Sequence, residues 1–289
     1  MEKVIVGVSD EASQSAVDWV IERSQRRPLS VTLVRAFDVL MADAVDIEDE
    51  LSETTERIRR LSPRTLVQTE AVTTSIPEAL IPASESADLL VIGSHHHHYI
   101  QSALTGAVPM HLAAKAECAT VIVPDDWHAT FTGRIVAGFD DDGSSGPALE
   151  FAAEEALASG AELDVLHAWS VPVTGLEDIQ ALGVSEQELR TAHHHLLSAA
   201  AHGLEAIHPG VKVREVLREE SAATALADAA QQADLIVVGS HRWGPVSGLI
   251  AGSTARETLR LSSTPLCIVP GPDARARRRE ARAGIRVGA

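Results

Sequence analysis

Ala87-Asp88-Leu89-Leu90-Val91-Ile92-Gly93-Ser94-His95 returns 146 residues later as Ala233-Asp234-Leu235-Ile236-Val237-Val238-Gly239-Ser240-His241, identical at seven of nine positions. Each copy is a short apolar, β-branched run closed by glycine, the pattern of a buried strand. The chain start Val4-Ile5-Val6-Gly7-Val8 likewise matches Ile135-Val136-Ala137-Gly138-Phe139, and the runs ending at Pro124 and Pro270 are again 146 apart. Self-similarity on this scale marks an internal duplication, with units of about 1–127 and 132–271. The first-strand pair is offset by only 131. The second unit therefore carries about 15 extra residues, nearly all between its second and third strands, within Val171 to His208.

In the second unit the strand-like runs are Ile135 to Phe139, Leu163 to Trp169, Val211 to Leu217, Leu235 to Gly239 and Leu266 to Pro270. Helical patterns alternate with them, which is the order of βαβ units and a parallel sheet. Between the first two runs, Pro147 to Ser159 puts Leu149, Ala153, Ala156 and Leu157 on one face, with Gly160 just past the end. The expected fold is α/β: two tandem, doubly wound, five-stranded, Rossmann-like parallel-sheet domains. Right-handed crossovers put any ligand beyond the carboxyl ends of the strands.

A length of 289 residues suits two such domains, and 45% hydrophobic with 22% charged residues is the balance of a folded globular chain. No apolar run approaches the roughly 18–20 residues that span a bilayer. The N-terminus runs from Glu2-Lys3 into the first strand with no leader-like pattern, so a cytoplasmic location is expected. Cys118 and Cys267 form no disulfide framework and are expected to be reduced and buried. A net charge of −17 argues against binding to nucleic acid or to anionic membranes. Residues 272–289 differ: six arginines against Asp273 and Glu280 give +4, and the segment reads as a basic disordered tail.

The turns after Val8 and Phe139 lack a G-x-G-x-x-G fingerprint, and none of the three lysines sits in a Walker A context. Glycines cluster instead after the fourth strand, where Gly239-Ser240-His241-Arg242-Trp243-Gly244 and the residues to Gly248 lead to Gly252-Ser253-Thr254 and a helical run. Such a loop can offer backbone N–H groups to a phosphate, with hydroxyls from Ser253 and Thr254 and a guanidinium from Arg242. An ordinary glycine turn with a Ser/Thr cap fits the same pattern. His95 to His98 and His193 to His195 read as a solvated loop and helix face rather than a metal site, since adjacent side chains diverge. Asp140-Asp141-Asp142 reads as a polar turn, with Mg²⁺ beside a triphosphate as the sharper alternative.

The strand ending in Val-Gly-Ser, the spacing from Gly239 through position 242 to Gly252-Ser253, and the closing Ser-Thr-Pro-Leu-Cys-Ile-Val-Pro resemble the universal stress proteins. The resemblance covers nearly the whole chain twice, as in a tandem member. In the ATP-binding branch of that family the motif is G-x-x-G-x9-G-[ST], with an aspartate after the first strand. By resemblance Asp140, after Gly138, holds the adenosine end, Ala168 packs on adenine, and Gly239 and Gly252-Ser253 hold phosphates. Arg242 replaces the middle glycine and either reaches the phosphates or fills the cleft. In the first unit Ser9 stands near the aspartate position in a turn one residue shorter, His96 replaces the middle glycine, and Ala107 follows Gly106, so that site is expected to be weak or dead.

These readings converge on a stress-response protein that binds adenine nucleotide, ATP first and Mg²⁺ with it, mainly in the second domain, and works as a nucleotide-linked sensor. It is expected not to be an enzyme beyond slow ATP hydrolysis. The resemblance implies that the units pair through Thr120 to Val123 and Leu266 to Val269, that chains form a homodimer, and that a protein partner reads the state. The alternative is a nucleotide-free interaction module with both clefts closed.

Overall fold

The computed structural model describes residues 1–9, 12–37, 44–94, 107–141, 143, 145–170, 185–240 and 253–271. In the first unit the elements are β1 (Glu2–Val8), α1 (Ala12–Ser24), β2 (Leu29–Phe37), α2 (Ala44–Leu61), β3 (Leu66–Thr73), α3 (Ile76–Ser84), β4 (Leu89–Ser94), α4 (Ala107–Lys115) and β5 (Ala119–Pro124). The second repeats them as β6 (Arg134–Phe139), α5 (Gly146–Ser159), β7 (Glu162–Trp169), α6 (Glu186–Ile207), β8 (Val213–Glu219), α7 (Ala222–Ala230), β9 (Leu235–Ser240), α8 (Ser253–Leu261) and β10 (Leu266–Pro270). The basic tail at 272–289 and the segment 171–184 lie outside the described residues.

The ten strands form one sheet in the order β3-β2-β1-β4-β5-β10-β9-β6-β7-β8. Pairing is parallel within each unit. The junction is antiparallel, with Leu266 opposite Ile122, Cys267 opposite Val121 and Ile268 opposite Thr120. The units thus pair through their last strands, as the resemblance implied. Val121 and Cys267 hold equivalent places in the repeat and face each other directly, so the register is symmetric about that pair. Both cysteines are buried.

Alternation along the strands divides the core. Val4, Val6, Val31, Leu33, Leu163 and Val165 face α1, α2, α5 and α6. Ile5, Val34, Leu90, Val136, Leu166 and Ile236 face the layer holding α3, α4, α7 and α8. Fully buried aliphatics such as Leu29, Leu33, Leu89 and Leu163 each contribute on the order of 1.5–3 kcal/mol.

Two local features differ from the sequence expectation. Leu157 is 44% exposed, and the buried stripe of α5 runs through Ala148, Leu149, Ala152, Ala153 and Ala156 instead. Residue 157 lies about 100° beyond 156 and turns past the edge of that stripe. The third strand of the second unit begins at Val213, not Val211, because the Val211 N–H closes a turn onto the His208 carbonyl. The helix end agrees with the expectation: Gly160 caps α5 in the left-handed region at φ 72°.

A buried ion cluster reinforces the junction. Arg23 of α1 donates to both oxygens of Glu155 on α5, at 2.5 and 2.7 Å, and to both oxygens of Glu2, at 3.1 and 2.8 Å. Arg27 adds a contact of 3.2 Å to Glu155. Burial opposes the charge on Arg23, but Glu155 and then Glu2 outweigh it and raise its pKa. Burial likewise works against the Glu155 carboxylate, and Arg23 with Arg27 reverses that and holds its pKa low. Removing one partner of a buried pair leaves an uncompensated charge and costs about 3–5 kcal/mol. R23E or E155R alone should lower stability by that order in urea unfolding, and R23E/E155R together should recover only part of it, because Glu2 and Arg27 would then each face a like charge.

Candidate functional site

The switch in winding direction falls at β6, which pairs with β7 on one side and β9 on the other. Its ladder with β9 comprises Ile135–Leu235, Val136–Ile236 and Ala137–Val237. Beyond Ala137, β6 stays with β7 as far as Phe139 opposite His167, while β9 stays with β10 as far as Ser240 opposite Pro270. The two strands therefore part at their carboxyl ends, and such a crevice is where open α/β sheets bind ligands. In the first unit the equivalent ladder of β1 and β4 continues one pair further, to Gly7 opposite Ile92.

Asp140 leaves β6 at the mouth of this crevice. Its N–H donates to Ser145 Oγ at 2.8 Å, and that hydroxyl donates back to the Asp140 carbonyl at 3.2 Å. Ser145 stands at the N-cap of α5 but makes no cap hydrogen bond with its side chain, which closes the turn instead. Gly143 supplies the left-handed residue, φ 77°, that lets so short a turn close. The Asp140 side chain is exposed, with one oxygen accepting the Asp141 N–H at 2.8 Å.

Gly138 is half-buried, and a Cβ there would meet Val238 and Leu226 at 3.4 and 3.6 Å. Ala168 is half-buried on the same face, against the core under α7 and α8. Gly239 and the buried Ser240 end β9, and Ser253 and Thr254 open α8. The fold thus brings Gly138, Asp140, Ala168, Gly239 and Ser240 to the carboxyl edge of one half-sheet. His241, Arg242, Trp243, Gly244 and Gly252 lie outside the described residues, as do His95 to His98 and Gly106.

On the opposite face of β7, sequence reasoning missed a feature. His167 is 4% exposed; its Nδ1 lies 3.0 Å from the Phe139 carbonyl and its Nε2 lies 2.9 Å from Nδ1 of His193 on α6. The His193 ring stacks on Trp169 at a centroid distance of 4.9 Å. The expectation that His193 to His195 form a solvated face therefore fails for His193, which turns inward and is half-buried. Burial, then the neighbouring His167, lower its pKa, and Asp141 acts the other way. The available signal was a lone histidine in the apolar strand Leu163 to Trp169, together with a helix long enough to cover it. Among the described residues no group of three or more His, Cys, Asp or Glu is placed to hold a metal ion. No described helix is long and apolar enough to cross a membrane.

The family model described as universal stress protein family matches residues 1–124 and again 132–270. A universal stress protein of Mycolicibacterium smegmatis is 27% identical over 286 residues, covering 92% of this chain and 96% of its own. One from Mycobacterium tuberculosis is 25% identical over 287 residues, covering 92% and 95%. Among solved structures, a putative universal stress protein from Pseudomonas aeruginosa superposes with a TM-score of 0.66 at 17% identity, covering 98% of each chain.

The Ser145 hydroxyl is buried and ties both backbone groups of Asp140. Ser145→Ala should therefore cost about 1 kcal/mol in denaturant unfolding, the usual worth of such a hydrogen bond.

Proposed function

The chain belongs to the universal stress protein family, and from that premise we propose that it binds an adenine nucleotide, ATP first, in the crevice of its second unit. Occupancy of that crevice is the signal. The observation that carries the reading is the parting of β6 from β9 beyond Ala137, with the exposed Asp140 carboxylate at its mouth.

The residues present fit such a ligand. Asp140 accepts from the ribose hydroxyls, and Ala168 gives adenine a small apolar wall. The first turn of α8, with the Ser253 and Thr254 hydroxyls, suits the phosphates. Mg²⁺, when bound with the triphosphate, supplies charge neutralisation. The one-residue extension of the ladder in the first unit supports a preference for the second.

Binding to the closed fold alone stabilises it by about 2.7 kcal/mol at a hundredfold excess over Kd. That increment can bias a protein partner toward the occupied state without turnover. A cytoplasmic location and pairing of chains into a homodimer belong to the same proposal.

Chain purified without added ligand and then denatured should release about one adenine nucleotide per chain, identified by mass. Asp140→Ala should weaken ATP binding about tenfold or more, the worth of a hydrogen bond to a charged group. Saturating ATP that leaves the melting temperature unchanged, with no nucleotide released, would favour the interaction module instead.

A further inference from the structure

The two units carry the same clasp built from different chemistry. In the first, Arg35 of β2 stands opposite Val8. Its Nη1 donates to the Val8 carbonyl at 3.5 Å and its Nε lies 3.4 Å from Glu50 on α2. In the second, His167 of β7 stands opposite Phe139 and connects the Phe139 carbonyl to His193 on α6. In both units a second-strand side chain ties the carbonyl ending the first strand to the crossover helix. Guanidinium and carboxylate keep their charges through the neutral range, whereas imidazole titrates within it.

A carbonyl only accepts, so His167 presents its Nδ1–H to Phe139 and, when neutral, a lone pair at Nε2. His193 then donates its own Nδ1–H to that lone pair while its ring lies against Trp169. Two protons too many would set N–H against N–H. Even one leaves a charge in a contact partly withdrawn from water, and that charge is better solvated once His193 lets go.

We propose that the His167–His193 pair is a proton-operated clasp on the ligand turn of the second unit. Acidification releases His193 from His167 and Trp169, loosens the Phe139 carbonyl that precedes Asp140, and weakens adenine-nucleotide binding. His167 is a positioning residue: it acts through the Phe139 backbone, from the face opposite Ala168. The last step rests on the nucleotide reading, whereas the clasp itself does not.

Several described charged groups lie around the pair. The turn contributes Asp140 and Asp141, of which Asp141 favours the charged imidazole and partly opposes release. From β8, Glu215 accepts the Ser198 hydroxyl at 2.6 Å and lies 3.8 Å from His194, and Glu219 lies 3.8 Å from Arg190. His193 is held below its unfolded pKa, so its neutral, stacked form contributes stability at and above the unfolded value. That contribution is lost as pH falls toward the folded value.

The test uses the full chain labelled with ¹⁵N, with the Trp169 indole N–H signal assigned by W169F. In the parent chain that signal should titrate with a midpoint below the ordinary histidine value. H193F should keep the ring against Trp169 and abolish the titration. H167R/H193E, which rebuilds the chemistry of the first unit, should abolish it as well.

ATP affinity, measured by calorimetry, should be about fivefold weaker near pH 5.5 than near pH 7.5 in the parent, at the low end of coupling between linked sites. It should be level across that range in H167R/H193E. A Trp169 signal that does not move, or that moves equally in H193F, overturns the clasp. Titration with pH-independent ATP affinity overturns the coupling. Titration with no ATP binding at any pH overturns the nucleotide reading and leaves the clasp standing.

Discussion

The antiparallel pairing of β5 with β10 places every other strand, because each half-sheet extends outward from that seam. Its register is centred on Val121 and Cys267, equivalent positions of the repeat, so the halves meet about a local two-fold. Arg23 and Glu155 are also equivalent: when α1 and α5 are matched 132 residues apart, most buried positions of α1 fall on buried positions of α5, with Ser13 matching Ser145 and Trp19 matching Phe151. Two identical units meeting in this way would set arginine against arginine or glutamate against glutamate. Duplication within one chain lets the copies diverge into a complementary pair, and a buried unpaired charge penalises the wrong partner.

The same divergence separates the carboxyl ends of the two half-sheets. In the first unit the ladder between the first and fourth strands runs one residue further, Ser9 follows the strand, and Arg35 with Glu50 forms the clasp. In the second the strands part earlier, a turn closed by Ser145 presents Asp140, and two histidines take the place of the ion pair. The repeated aspartates play the same part in both units. Asp88 accepts the Lys3 N–H, and Asp234 accepts the N–H groups of Thr132, Gly133 and Arg134. Each pins the entry to its own first strand, so the crevice is varied at one end of a strand whose other end is anchored.

Much of this was legible in the order of residues. A strand buried on both faces must be a continuous apolar run, and Leu89 to Ile92 and Leu235 to Val238 can be little else. Glycine after a helix and serine before one signal boundaries through backbone geometry that acts within a few residues. Misreadings arose where a distant element decided. Leu157 belongs to the apolar period of α5, yet the sheet beneath is filled by Ala148 and Ala152. His193 belongs to a polar run, yet β7 sets His167 and Trp169 under it.

The sequence by itself determined that the chain is a duplicated α/β fold with parallel half-sheets and that an aspartate-rich turn and a glycine-rich segment follow the first and fourth strands of the second unit. Those features depend on strand and helix periodicity and on turn residues, which are local. Only the tertiary structure decided how far each pair of strands stays zipped, which carboxylates hold Arg23, and which of three consecutive histidines turns inward. Those outcomes depend on side chains more than twenty residues apart meeting in a low-dielectric interior, where the energy lies in the pairing and no single stretch of chain contains both partners.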